Sequence, residues 1–188
     1  MLEPLSCCRA LQWRLVRLSQ IDLVIVHTMQ IRRGDFADPH IIELLRVHFQ
    51  TMRSTGPAES CHVMDLTELQ RPDLEFWAAW DGDALLGVGG ILQFSSTSGL
   101  EGEIKSMHTT ASARGRGIGA AMLLHLIDRA KQQGIGRLSL ETGAGEFFHP
   151  AHALYRRHGF VLCPPFGSYR DDPNSVFMTK SLGVAGQG

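Results

Sequence analysis

The most informative part of the sequence is Arg114-Gly115-Arg116-Gly117-Ile118-Gly119-Ala120, which lies between a strand-like segment and an apolar helical segment. Three glycines in such a turn let the backbone approach a ligand without interference from Cβ atoms. The unpaired amides of the first helical turn and the helix dipole favour a negative group at the same place. The stretch therefore predicts a backbone cradle for phosphate, and a pyrophosphate would fit it.

The segments on either side of this turn have the patterns of a strand and a helix. Residues 103–109 mix apolar and polar side chains in partial alternation, which indicates a strand, and residues 110–113 form a short connector. Residues 118–130 carry apolar side chains at fourfold spacing and are followed by Gly134, as expected of a buried helix. The apolar positions of this helix are Ile118, Met122, Leu123, Leu126, Ile127 and Ala130.

Two other classes of nucleotide-binding turn do not match the stretch. A Walker loop needs a lysine and a hydroxyl side chain directly after its last glycine, and residues 120–123 contain neither. The spacing of Gly115, Gly117 and Gly119 also differs from the GxGxxG of dinucleotide-binding domains. Glu141 lies at about the distance downstream where a dinucleotide-binding domain has its acidic residue, but such a domain would also need alternating βαβ units. Neither class is therefore favoured.

A second motif accompanies the glycine turn. Residues 114–119 match the acyl-CoA pattern Q/R-x-x-G-x-G/A, and residues 151–160, about 35 residues later, match A-x-x-L-Y-x-x-x-G-F. Together, and in this order, the two motifs resemble the GNAT acetyltransferase superfamily, with the resemblance covering roughly residues 29–182. The strings EIKSMHT at residues 103–109 and LSLETG at residues 138–143 are similar to those of a small bacterial single-domain branch.

The resemblance implies an α/β fold in which a central mixed sheet, flanked by helices, splays into a V. It also implies an acetyl-CoA-dependent N-acetyltransferase that passes acetyl directly from CoA to an amine of a small molecule or a peptide. In this family the strand before the turn pairs with pantetheine and the turn holds the pyrophosphate. The cofactor-binding residues that this implies are Met107, His108, Thr109, Arg114, Gly115, Arg116, Gly117, Ile118, Gly119, Ala120 and Tyr155.

The resemblance also supplies catalytic candidates. Direct transfer to an amine needs a base for the ammonium proton and an acid for the departing thiolate. Glu103 and Glu141 stand where two branches of the family place the base, and Glu103 ranks slightly ahead. Tyr155 stands where the family places the tyrosine that protonates the CoA sulfur. Phe148 replaces the asparagine that often binds pantetheine in the family, so the resemblance leaves the cofactor contact at that position open.

A long loop is predicted at residues 53–73, with only a weak helical pattern at residues 63–69. Loops of this length inside compact domains are usually functional. In the resembling family this loop usually forms the bottom of the site that binds the acceptor. His62 and Asp65 are therefore candidate substrate contacts. A second class of function stays open, namely a non-catalytic acyl-CoA-binding module that senses the cofactor through the same turn. The two carboxylates and Tyr155 favour the enzyme.

The other elements follow from local patterns. A helix is predicted at residues 39–52, with Asp38 as N-cap and Pro39 at its first position. Its inward side chains are expected to be Ile41, Ile42, Leu45, Phe49 and Met52. A tight turn is predicted at Asp81-Gly82 and a polar loop at residues 95–100. Further strands are predicted at residues 31–33, 75–80, 84–94, 138–142, 160–163 and 176–180, and a short helix at residues 150–158.

The composition suits one domain with a sizeable core, since 44% of the 188 residues are hydrophobic. With 18 basic and 19 acidic side chains, no net charge favours nucleic acid or an anionic membrane, and no run reaches the ~18 apolar residues of a membrane span. Four cysteines without CxxC spacing favour the cytoplasm. Dimers are common among soluble proteins, and a homodimer is one assembly to test.

No metal site is expected, because the nine histidines form no HExxH or Cys-His framework. His149, His152 and His158 are interpreted as surface or loop residues. The chain is divided into three segments. Residues 1–28 are expected to be an N-terminal extension outside the core, residues 29–182 the acetyltransferase domain, and residues 183–188 a tail.

Overall fold

A mixed β-sheet with helices on both faces forms the protein. The computed structural model describes residues 29–55, 57, 62 and 64–183. The extension expected at residues 1–28 and residues 184–188 of the tail lie outside the described residues. The strands are β1 (Gln30–Arg33), β2 (Leu74–Asp81), β3 (Ala84–Ser96), β4 (Gly99–Thr109), β5 (Arg137–Gly143), β6 (Val161–Leu162) and β7 (Ser175–Ser181). The helices are α1 (Pro39–Ser54), α2 (Leu66–Leu69), α3 (Ile118–Gln132) and α4 (His149–Arg157).

The sheet opens in its middle. Its strand order is β1-β2-β3-β4-β5-β7-β6, and every neighbouring pair is antiparallel except β4 and β5. These two strands pair in parallel only where residues 101–103 face residues 137–139. Beyond this point the two strands no longer pair with each other, although β4 continues to Thr109 and β5 to Gly143. This divergence confirms the expected V-shaped mixed sheet.

Each face of the sheet has its own hydrophobic core. One core joins α3, Tyr155 of α4 and Phe160 to the side chains of β3, β4 and β5 that point the same way. All six apolar positions expected of α3 are buried in it. The helix ends as predicted, because Gly134 adopts a φ of 75° and the Ile135 amide bonds the Ala130 carbonyl at 3.0 Å. The other core packs α1 and Leu69 against β2 and β3.

The inward face of α1 differs from the prediction. Asp38 caps the helix through the His40 amide at 2.9 Å, with Pro39 next to it, as expected. The buried positions are Ile41, Leu44, Leu45 and His48, whereas Ile42, Phe49 and Met52 are half-buried. The buried face of α1 is rotated towards His48, because His48 packs against His108 of β4 at 4.8 Å between ring centroids.

The turns between β2 and β3 and between β3 and β4 differ from the prediction: the first is shifted and the second is shorter. Asp81 pairs with Ala84, so the turn residues are Gly82 and Asp83 rather than Asp81 and Gly82, and Gly82 supplies the positive φ of 56°. The expected loop at residues 95–100 is mostly strand, because Ser96 pairs with Gly99 and leaves a two-residue turn.

Within the described ranges, no helix combines the length and apolar character that crossing a membrane requires.

Candidate active site

A cleft of about 930 Å³ lies where β4 and β5 diverge. Its walls come from β4, the glycine turn, the start of α3, the end of β5 and α4, together with part of α1 and the segment after it. All the residues predicted to bind the cofactor line this cleft except Arg116. The opening of the sheet therefore places the two sequence motifs around one cavity.

The edge of β4 that faces β5 is free from Ile104 onward, because the ladder between the two strands ends at Glu103 and Ser139. On its other edge β4 still pairs with β3, as at His108 and Val88. The register shifts near Gly89, and Ser106 adopts a φ of 51° there, the one positive value of a non-glycine residue within the described part of the chain. Such a bulge bends a strand and leaves backbone groups unpaired. The cleft thus has a strand edge that an extended ligand could pair with.

The glycine turn presents amide groups to the same cleft. Gly115 and Gly117 have positive φ values of 74° and 82°, and Gly117 is the N-cap of α3 without a side-chain cap. The amides of residues 118–120 have no acceptor within the helix, because its first bond runs from Ala121 to Gly117 at 3.0 Å. These donors and the helix dipole favour an anion. The Arg116 side chain is exposed, and its guanidinium lies 3.8 Å from the Asp81 carboxylate.

Glu141 places a carboxyl group in the cleft. It stands on β5 beyond the last residue that pairs with β4, and its Oε1 accepts a 2.7 Å hydrogen bond from the Ser175 hydroxyl. Burial raises the pKa of Glu141 above its usual range, an effect that the Ser175 hydrogen bond and the nearby charges of His62 and Lys105 partly offset. A half-buried carboxylate with a raised pKa is a stronger base than an exposed one.

Glu103, which ranked ahead of Glu141 on sequence, has a different environment. Its residue is only 6% exposed and is not among the residues that line the cleft. Its Oε1 accepts a hydrogen bond from the Tyr169 hydroxyl at 2.7 Å and lies 2.8 Å from Lys105 Nζ. Lys105 in turn donates to the Tyr169 oxygen at 2.6 Å. Glu103 is thus held in an ion-pair network behind the cleft wall.

Tyr155 is where the second motif predicts it. The residue is buried against Phe160 and lines the cleft from α4, opposite the free edge of β4. Within the described residues its hydroxyl makes no hydrogen bond. Burial, and to a smaller degree the charge of Glu141, raise the pKa of Tyr155. The hydroxyl therefore stays protonated at neutral pH and can act as a proton donor.

Phe148 and His152 shape the wall next to Tyr155. Phe148 lines the cleft and packs on Gly143 so closely that a Cβ added to this glycine would come within 2.1 Å of the Phe148 ring. His152 is buried and its Nε2 is 2.9 Å from the Gly143 carbonyl, so the interpretation of His152 as a surface residue is wrong. This contact ties α4 to the end of β5.

The two candidate acceptor contacts lie in different places. His62 lines the cleft, and its ring meets that of Tyr169 at 5.0 Å. Asp65 is exposed and is the N-cap of α2, where it accepts from the Glu68 amide at 2.8 Å in a reciprocal capping box. Asp65 is not among the cleft residues.

Over the described ranges, no group of three or more His, Cys, Asp and Glu side chains is arranged to hold a metal ion.

Sequence reasoning missed the contact of two imidazoles at the cleft, one buried and one half-buried. His48 of α1 contacts His108 of β4, and the Nδ1 of His48 is buried without a partner among the described residues. Burial, and then the charge of His108, lower the pKa of His48 to about 3. Burial, and then Arg114, lower the pKa of His108 to about 4. Both rings are neutral at physiological pH. The only sequence signal for His48 is its place on the apolar stripe of α1.

Comparison with known proteins agrees with this geometry. The model of the acetyltransferase (GNAT) family matches residues 39–160. A relative named uncharacterized N-acetyltransferase YsnE, from Bacillus subtilis (strain 168), is 42% identical over 154 residues, which are 82% of this chain and 100% of the relative. A protein named IAA acetyltransferase, from Azospirillum brasilense, is 37% identical over 76% of this chain and 90% of its own length. A solved Bacillus subtilis acetyltransferase in complex with CoA is 19% identical and has a TM-score of 0.61, covering 82% of this chain and 99% of that one.

Proposed function

Because the chain belongs to the acetyltransferase (GNAT) family and is an N-acetyltransferase, we propose that the cleft between β4 and β5 binds acetyl-CoA. The acetyl group then passes directly to an amine nitrogen of a small molecule or a peptide. One observation carries this proposal: a single cleft brings together the glycine turn, the free edge of β4, the carboxyl group of Glu141 and the hydroxyl of Tyr155.

The donor would lie along the first two of these features. The amides of residues 118–120 and the N-terminus of α3 would hold the pyrophosphate, because they are unpaired donors in a positive field. The free edge of β4 at residues 107–109 would pair with the pantetheine amides like an added strand. Arg114, which lines the cleft, would add a charge-assisted contact.

Glu141 would be the general base. In the reaction the amine nitrogen forms a bond to the thioester carbonyl carbon while the C–S bond breaks. The proton lost by the nitrogen passes to Glu141, whose raised pKa suits it to this task. Glu141 replaces Glu103 as the first candidate, because Glu103 is occupied by Lys105 and Tyr169 behind the wall.

Tyr155 would be the general acid. It lines the cleft from α4, and its raised pKa keeps the hydroxyl protonated until the thiolate of CoA departs. The proposed transfer is direct and forms no covalent acetyl-enzyme. Cys163, the cysteine among the described residues, does not line the cleft.

An amine library tests the proposed function. The protein is incubated with acetyl-CoA and each amine, thiol release is followed in the steady state, and the acetylated product is detected by mass spectrometry. We expect thiol release that depends on the amine and yields one acetyl group per product molecule. A protein that binds acetyl-CoA tightly but acetylates no amine would instead support the non-catalytic acyl-CoA-binding module.

A further inference from the structure

We propose that Lys105 binds an anionic group of the acceptor, so that the preferred acceptors are amines that also carry a carboxylate, as amino acids and peptides with a nearby carboxylate do. This inference rests on the proposed function and deepens it, because it assigns a substrate class to the acceptor side of the same cleft.

Lys105 brings an ammonium group to the cleft wall. It stands on the free stretch of β4 and lines the cleft, although its side chain is only 13% exposed. An ammonium group has three N–H donors. Within the described residues two acceptors meet it, Tyr169 Oη at 2.6 Å and Glu103 Oε1 at 2.8 Å. One donor is therefore left for a ligand in the cleft.

The partners of Lys105 keep the ammonium group in place. Glu103 and the Tyr169 hydroxyl both contact it, and neither residue lines the cleft. The Tyr169 ring packs against Phe166 and Phe177 at 5.2 and 5.3 Å. A buried ion pair adds little stability over apolar side chains of similar size, so stability alone gives weak reason for this arrangement. A rigid, partly desolvated ammonium group at a cavity wall is instead suited to recognising an anion.

Glu141 supplies the complementary charge on the opposite strand. Ile104 of β4 and Leu140 of β5 both point into the core under α3. Because side chains alternate along a strand, Lys105 and Glu141 project from the other face of the sheet. Both line the cleft, and Lys105 is close enough to affect the charge of Glu141. A cation on one wall and a carboxylate on the other complement a zwitterion whose amine meets Glu141.

The test uses matched acceptors. Each α-amino acid is compared with the amine that lacks its carboxylate, in the steady state and with saturating acetyl-CoA. A charge-assisted hydrogen bond supports a preference of about 10- to 100-fold in kcat/KM for the carboxylate form. Lys105→Met should abolish this preference by raising the acceptor KM, with the acetyl-CoA KM unchanged. Lys105→Arg should restore part of it, and Lys131→Met, on the exposed surface of α3, is the matched control.

A second variant covers the case in which Lys105→Met does not fold, since it leaves Glu103 buried without its cation. Tyr169→Phe keeps the ion pair but removes one anchor of Lys105. It should reduce the same preference, and cooperative thermal unfolding should show that the variant is folded. The inference is wrong if the parent acetylates both members of each pair equally well, or if folded variants keep the full preference. Acetylation of no amine at all would overturn the proposed function itself, whereas acetylation that ignores the carboxylate overturns only this inference.

Discussion

At the scale of single residues, the site depends on how two carboxylates of neighbouring strands are partnered. Glu103 and Glu141 both project from the face of the sheet opposite α3. Glu103 bonds a lysine and a tyrosine, whereas Glu141 bonds only the Ser175 hydroxyl among the described residues. The lysine and the tyrosine occupy the Glu103 carboxylate, whereas burial raises the pKa of Glu141 and makes it the more basic group. We therefore expect these two identical side chains to have different roles.

Tyr155 permits a prediction at this scale. Tyr155→Phe removes the hydroxyl and leaves the ring that packs on Phe160. Losing a general acid typically lowers the rate by about 10²- to 10⁴-fold, so kcat should fall toward this range. The dissociation constant of CoA, measured by calorimetry, should change little. An unchanged kcat together with weaker CoA binding would assign Tyr155 to binding rather than to proton transfer.

At the scale of elements, the glycine turn and α3 together form the proposed phosphate cradle. Gly117 has a φ of 82°, which a β-branched residue tolerates poorly, whereas a Cβ at Gly119 would meet only ordinary contacts at 3.5 and 3.7 Å. We expect Gly117→Val to weaken acetyl-CoA binding by about tenfold or more, because the strained turn no longer presents its amides. Gly134→Val is the matched control, because Gly134 has a φ of 75° beyond the other end of α3 and does not line the cleft, and it should keep the affinity. Equal affinity of Gly117→Val and the parent, with both folded, would refute the cradle.

The packing of α1 on β4 predicts acid sensitivity. The pKa values of His48 and His108 are lowered to about 3 and about 4, so the unfolded chain binds protons below pH 6.5 that the fold does not. Stability is therefore lost as the pH falls from 6.5 towards 4, by at most about 1.4 kcal/mol per pH unit for each ring. His48→Leu should flatten this loss in urea unfolding without CoA. His40→Gln, an exposed site on the same helix, should not, and an equal slope in all three proteins would contradict the account.

Most elements of this fold could be predicted because their signals are local. The fourfold pattern of α3, the cap at Asp38 and the turn before Ile118 each depend on adjacent residues, and the structure confirms them. The partner of Glu103 could not be predicted, because Tyr169 is 66 residues away in a loop without a pattern. The burial of His48 likewise depends on a ring from another element. Long-range contacts thus decide which sequence candidates enter the cleft.

At the scale of the whole molecule, two hydrophobic cores pack on opposite faces of one sheet, and the cleft lies where β4 and β5 of that sheet diverge. The first described strand begins at Gln30, and the match to the family model begins at residue 39. We expect removal of residues 1–28 to change the free energy of unfolding by less than about 1 kcal/mol, a small part of the ~5 to 15 typical of a domain. CoA affinity should also stay the same. A loss of several kcal/mol in denaturant unfolding would show that the extension belongs to the core.

Glu141 is the base that we propose for acetyl transfer at this cleft. The most direct test is the pH profile of kcat/KM for Glu141→Gln beside Glu103→Gln, with the melting temperature confirming that both variants fold. We predict that Glu141→Gln lowers kcat/KM at neutral pH by about 10²- to 10⁴-fold, loses the acidic limb, and recovers partly at high pH, where the amine is already neutral. Glu103→Gln should keep the acidic limb and change mainly the acceptor KM. Loss of the limb in Glu103→Gln, with an intact limb in Glu141→Gln, would contradict the account.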